Sequence, residues 1–389
     1  MSPRHRLATI AWGLFCSNSW TWCIAMYLPV ILLRRFGWLG FLAFAVPNVL
    51  GCAAFGYVLR PHTSQRIVQQ HQPAMRWFSI VTIAYHMFFI PFFAATFVLP
   101  VPDIGGPTLE HWFGLILAIA VLAAAVIVSL LPARLWPVLA ILTYAFSLAA
   151  FVQWGAGPLS DITWTGQSDP GQLAWMTPTI VFGFLCCPYL DSTFHRALRE
   201  SPSRHSFAVF GLGFGVLILF TCAFAFSSAL TPLVMGYVLG QSTFTIAAHL
   251  RELRQTPGTH PRFRHLAVMF ALIALAVLSF ASTAGGDGRL AGEGMYLRFL
   301  AFYSLIFPAY VLLFVGPGRP MQLSRRNVMA FGAAVLLALP LYELGFIHDR
   351  SWLLILPLVG LLAWRWAARE RRNSETLDAA ENVRSAQGR

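Results

Sequence analysis

Long apolar blocks separated by short, arginine-bearing turns set the pattern of this chain. Each block approaches the roughly 20 residues a helix needs to cross the bilayer core, and about twelve can be counted. They fall at approximately 7–33, 38–59, 74–100, 111–131, 134–155, 173–197, 206–227, 229–250, 263–284, 295–316, 326–346 and 351–367. The pattern predicts an all-α polytopic membrane protein of about twelve transmembrane helices. The stretch from Ser374 to Arg389 is polar and without apolar periodicity, which predicts a disordered tail over 368–389.

Composition agrees, with 57% hydrophobic and 11% charged residues among 389 against about 25% charged in soluble domains. The net charge of +12 would otherwise suggest nucleic acid, but its basic carriers are all arginines in alternate turns. Arg4 and Arg6 precede span one, Arg60, Arg66 and Arg76 follow span two, and Arg134 follows span four. Arg196, Arg199 and Arg204 surround the next such turn, with Arg251, Arg254, Arg262 and Arg264 after span eight. Arg319, Arg325 and Arg326 follow span ten, and Arg365 to Arg372 close the last span. This is the positive-inside pattern of a multi-pass protein of the cell inner (plasma) membrane with both termini cytoplasmic. Its expected partner is the lipid bilayer, not nucleic acid.

The remaining turns carry acids: Asp103, Glu110, Asp161, Asp169, Asp287 and Glu293. Arg34 and Arg35 break the rule, and a pair snorkelling from a helix end accounts for them. Cys16, Cys23, Cys52, Cys186, Cys187 and Cys222 all lie inside apolar blocks, without the spacing of a disulfide framework or zinc site. The first block is too long for a signal peptide and has no small-residue cleavage site.

Span one carries Gly13-Leu14-Phe15-Cys16-Ser17-Asn18-Ser19-Trp20-Thr21-Trp22 where a lipid-facing helix would carry Leu, Val and Ile. Either the small hydroxyls mark tight helix contacts, or the helix opens and lines a cavity. Span six carries Gly183 and Pro188, and proline frees the carbonyl four residues earlier, at Phe184. Roughly ten spans in two sets of five make the second set run opposite to the first. Paired interruptions in the first helix of each half point to a transporter binding site. The implied units are a repeat over 1–155, its inverted counterpart over 173–316, and two peripheral helices over 326–367.

The run Leu14-Phe15-Cys16-Ser17-Asn18-Ser19 resembles the first repeat helix of the sodium/solute symporters, which share the LeuT-type fold of the APC superfamily. Gln241-Ser242-Thr243-Phe244-Thr245 is similar to the Ser/Thr-rich stretch of that family's eighth core helix. The resemblance implies a sodium site formed by the carbonyls of Cys16 and Ser19 with the hydroxyls of Ser242 and Thr243. The chain departs from the family in three places. It lacks room for a helix before the first repeat, the turn near Ser228 is too short for an outer gate, and Ala247-Ala248-His249 replaces an acidic motif.

Ser17, Asn18, Thr21, His86, Phe184, Tyr189 and Asp191 are the candidate substrate-binding residues. Asp191 reads as a cation or proton site, or as a near-interface acid paired with His195 or Arg196. His86 reads as a relay or substrate ligand, or as a histidine bonded to a neighbouring helix. Pro47-Asn48 with Gly51 and Gly56 reads as close helix packing with a kink, and Glu343 as structural. No HExxH, phosphate loop or GxSxG occurs, which argues against an enzyme. The expected function is secondary transport of a small polar solute, coupled to sodium or protons, with no cofactor beyond a sodium ion. The alternative is a transport-inactive sensor or scaffold working through a membrane protein partner. A lipid-processing enzyme is the third reading, with no cluster of acids or histidines behind it.

Overall fold

The computed structural model describes residues 2–97, 106–154, 162–225, 232–255, 265, 268–270, 272–273, 288–316 and 320–370. The described residues are helical, without a strand. In chain order the helices are α1 (Pro3–Trp20), α2 (Cys23–Phe36), α3 (Trp38–Val58), α4 (Pro61–Gln70), α5 (Gln72–Phe97), α6 (Gly106–Ser129) and α7 (Trp136–Trp154). Then follow α8 (Pro170–Cys186), α9 (Ser192–Glu200), α10 (Ser206–Ala225), α11 (Pro232–Gln255), α12 (288–315), α13 (Arg325–Phe346) and α14 (Ser351–Glu370). Among the described residues seven helices are long and apolar enough to cross a membrane, or up to nine if each bent pair counts as one span. The chain is therefore membrane-embedded. Most of the expected span 263–284, the turn at Ser228 and residues 371–389 lie outside the described residues.

Two helix pairs bend sharply at short breaks: α1 to α2 by 64° and α8 to α9 by 55°. Four of the membrane-crossing segments expected from sequence, now α3, α5, α6 and α7, separate them. α1 packs against α7, α10 and α11, while α5 packs against α6 and α11. The apolar stretch of α5 is 94% buried and those of α13 and α14 are 17% buried, so α5 is central and the last two helices peripheral.

Lipid tails are as apolar as leucine, so contact between these helices depends on close approach more than on hydrophobicity. At Gly13 a side-chain carbon would come within 2.6 Å of Val209, and at Gly56 it would collide with Phe207. α3 carries a wide turn over Pro47–Gly51 that brings Asn48 inward.

The α2–α3 turn is held by the segment before α8. Gly37 has φ +64°, and a Cβ there would run into the Thr163 carbonyl. That carbonyl accepts from the Trp38 amide at 3.0 Å, and the Arg35 carbonyl accepts from the Ser168 amide at 2.9 Å. Gly37→Ala is expected to destabilise the protein by more than the roughly 1–2 kcal/mol of a left-handed residue alone. A thermal melt in detergent reads the loss, and an unchanged midpoint would refute it.

The arginines of this turn have acidic partners that the sequence reading did not supply. Arg34 reaches Glu293 at 3.5 Å, and Arg35 pairs with Asp349 and donates to Gln172 at 3.1 Å. At the helix end, acids from α12 and the α13–α14 turn meet them. Glu343 is likewise paired, with Arg298 Nε at 3.1 Å.

Candidate functional site

Hydroxyls that turn back on their own helix lead up to the break in α1–α2. Ser17 Oγ donates to the Gly13 carbonyl at 3.1 Å, Ser19 Oγ to Cys16 at 3.3 Å and Thr21 Oγ1 to Ser17 at 2.7 Å. Such bonds compete with the backbone ladder and bend helices. The helix nevertheless runs through Trp20 and opens only at Thr21–Trp22, where Trp22 is extended (φ −82°, ψ 173°). The Trp22 indole folds back and donates to the Ser19 carbonyl.

The break in α8–α9 begins where Pro188 withdraws a donor. Cys187–Tyr189 form one tight turn, and the Phe184 carbonyl accepts from Cys52 Sγ at 3.5 Å. Asp191 caps α9: its Oδ1 accepts from the Thr193 amide at 2.7 Å and from Thr193 Oγ1 at 2.8 Å.

The two breaks touch. Ser19 Oγ lies 3.1 Å from Thr193 Oγ1, and the Trp20 ring packs on Phe194 (centroids 4.8 Å) and Trp22 (4.3 Å). Trp20 Nε1 donates to Asn48 Oδ1 at 2.8 Å, which ties in the wide turn of α3. A void of about 10 Å³, lined by Trp20, Trp22, Ile24, Ala25, Asn48, Phe184, Cys187 and Tyr303, lies between the breaks. It has room for about one water. Larger cavities lie elsewhere, such as one of about 310 Å³ lined by apolar residues of α12, α13 and α14.

α11 packs beside the first break. Asn18 Nδ2 donates to the Ala140 carbonyl of α7 at 2.7 Å, and Asn18 Oδ1 accepts from Gln241 Nε2 at 3.0 Å. Gln241 Nε2 also reaches Ser147 Oγ at 2.8 Å, and Thr245 Oγ1 donates to the Asn18 carbonyl at 3.1 Å. Further along the same face, His249 Nδ1 lies 3.0 Å from Ser79 Oγ of α5, and its ring lies 6.0 Å from Trp22.

Arg196 closes the Arg-rich end. Its fully buried guanidinium lies over Trp12 (5.3 Å), Phe15 (5.2 Å) and Trp136 (5.3 Å). Its Nε meets Glu200 at 3.2 Å, and one terminal nitrogen meets Glu252 at 3.5 Å.

The structure gathers some of the sequence candidates and disperses others. Cys16, Asn18, Ser19, Phe184 and Asp191 sit at or beside the breaks and are buried. Asp191 is paired with neither His195, which binds Ser64 at 2.7 Å, nor Arg196. Ser17 turns toward the Phe210 carbonyl (3.3 Å), and Thr21 serves its own helix. Tyr189 packs on Phe55 (5.5 Å). His86 bonds the Thr82 carbonyl of its own helix at 2.8 Å, not a neighbouring helix. Ser242 is buried on α11, while Thr243 Oγ1 donates to its own Leu239 carbonyl at 2.7 Å. The sequence reading missed Thr193, Gln241, Thr245 and His249 as partners. The i, i+4, i+8 spacing of the last three was the available signal. Among the described residues no three His, Cys, Asp or Glu side chains form a metal-ligand group. The chain matches no known family model and no curated protein.

Proposed function

We propose that this protein is a secondary transporter of a small polar solute with a LeuT-type arrangement, coupled to sodium or protons, resembling the sodium/solute symporters. The observation that carries the reading is the contact between two broken helices, with Ser19 of the first 3.1 Å from Thr193 of the second. Interrupted helices in corresponding positions of two halves are the mark of a binding site at the repeat interface. The polar residues at the breaks are buried, where unsatisfied backbone survives only against protein or a cavity. The carbonyls of Cys16 and Ser19 already accept from Ser19 Oγ and the Trp22 indole, so of the expected sodium ligands Ser242 alone remains. Thr245 joins it as the hydroxyl of α11 bonded to a carbonyl of α1. In this reading the Arg-rich end and both termini face the cytoplasm, and α8 to α12 belong to the inverted second repeat.

Purified protein in proteoliposomes should accumulate a solute against its gradient only while an inward sodium or proton gradient is held. Ser242→Ala with Thr245→Ala should remove any sodium dependence while leaving the fold intact. Folded protein that neither binds nor moves any member of a broad metabolite screen under either gradient would overturn the reading.

A further inference from the structure

A cavity away from the breaks has no part in the transport reading. It has a volume of about 280 Å³ and lies where α5, α6 and α11 pack on one another, closed by His265, Met269 and Phe270. Small-molecule sites begin near roughly 300 Å³, so this space suits a ligand and not merely a water.

Its two ends differ in chemistry, and helix spacing is the cause. Arg76 and Ile80 of α5 lie one turn apart, as do Leu250 and Arg254 of α11, and all four line the cavity. Residues at i and i+4 share a helix face, one above the other. α5 begins near Arg76 and α11 ends near Arg254, so both arginines fall at the Arg-rich end of the bundle. His265 and Met269 repeat the spacing, and the His265 ring lies 6.3 Å from that of Trp77, the neighbour of Arg76. Leu122 and Val126 of α6 add only apolar surface. The result is an apolar chamber headed by Arg76, Arg254 and His265, with no carboxylate among the described residues that line it. Arg254 is exposed and makes no ion pair among the described residues.

The chamber also opens outward. Val126 is 39% exposed and Phe270 58%, so its apolar edge reaches the surface of the helix bundle. A free phosphate would leave the chamber unfilled, and a neutral hydrocarbon would leave Arg254 without a counter-charge. A molecule with an acyl tail and an anionic head meets both ends. Guanidinium groups match phosphate oxygens in charge and geometry, and basic pockets between membrane helices on the cytoplasmic side suit anionic headgroups.

We propose that this cavity binds an anionic phospholipid from the leaflet at the Arg-rich end. Its phosphate would lie between Arg76 and Arg254, with one acyl tail against Ile80, Leu122 and Leu250. The site is separate from the breaks and stands whether or not those carry a solute.

Dioleoylphosphatidylglycerol is the probe, added to delipidated full-length protein in a neutral detergent. Dioleoylphosphatidylcholine and inorganic phosphate are the comparisons. Phosphatidylglycerol should raise the melting temperature saturably by roughly 2–5 °C. Phosphatidylcholine has the tails without the net charge, and phosphate has the charge without the tails, so neither should. Arg254→Gln should weaken the apparent affinity roughly fivefold. Val126→Trp fills the apolar edge and should abolish the shift. Both side chains are exposed, so without lipid the two variants should melt like the parent. No shift with phosphatidylglycerol, an equal shift with phosphatidylcholine or phosphate, or an undiminished shift in either variant would overturn the assignment.

Discussion

Arg196→Met is expected to lower the melting temperature sharply and to expose Cys16 to thiol reagents. The guanidinium is fully buried, yet it neutralises Glu252, whose side chain is only 11% exposed, and it fills a box of three aromatic rings from α1 and α7. Removing one partner of a buried ion pair leaves the other charge in low dielectric, which costs about 3–5 kcal/mol. Met keeps most of the stem volume, so the loss would be electrostatic more than a cavity effect. Adding Glu252→Gln to Arg196→Met should therefore recover part of the stability. The expected coupling between the two sites is roughly 1–3 kcal/mol. Arg196→Lys should be intermediate, since it keeps the charge but not the planar fork.

The same residue makes a functional prediction. In the transporter reading, Arg196 draws α9 onto α1 and α11 and closes the route from the cytoplasm to the breaks. Cys16, 1% exposed behind this closure, is the natural reporter. In a chain with Cys16 as the sole cysteine, Arg196→Met should speed its modification at least tenfold. Unchanged melting together with an unreactive Cys16 would remove Arg196 from both roles.

The parts of the site that local chemistry determines were legible in the sequence. Pro188 removes a donor wherever it stands in a helix, and the Phe184 carbonyl it frees is the one that Cys52 meets. The cluster from Ser17 to Thr21 announced a disturbance, but the break came later, at Thr21–Trp22. Each hydroxyl found a carbonyl three or four residues back, so the helix tolerated them until Trp22 folded over. What no local pattern could supply were the partners. Asn18 meets Ala140 and Gln241, which lie 122 and 223 residues away. Arg34 and Arg35 look anomalous only until Glu293 and Asp349 arrive from 259 and 314 residues further on. On α11 the Ser/Thr-rich run drew attention to Ser242 and Thr243. The inward face is the one that also carries Gln241, Thr245 and His249, and Thr243 falls to its side.

Asn18→Leu is the second large effect expected, because this side chain joins three helices at the first break. Leucine matches asparagine roughly in size but takes one of the two partners of the Gln241 amide and withdraws a donor from the Ala140 carbonyl. One buried N–H left unmet costs about 1–3 kcal/mol, and a loss of that size is expected. Gln241→Leu alone should also destabilise, since it leaves Asn18 Oδ1 and Ser147 Oγ without their donor. Replacing both partners by apolar groups removes the unmet atoms together, and such exchanges are often nearly neutral. Asn18→Leu with Gln241→Leu should therefore be clearly more stable than the sum of its parts, by at least about 1 kcal/mol. Equilibrium unfolding of the four proteins in one detergent measures this directly. Costs that simply add would mean that Asn18 and Gln241 stabilise α1 and α11 separately, and the three-helix junction would lose its standing. If the double variant folds well, the α1–α11 contact near the break has become apolar. Any sodium effect carried by the Thr245 hydroxyl and the Asn18 carbonyl should then persist, because the backbone oxygen is unchanged. A variant that kept its fold but lost that effect would place the ion on the side chains of Asn18 or Gln241, and the two single variants tell them apart.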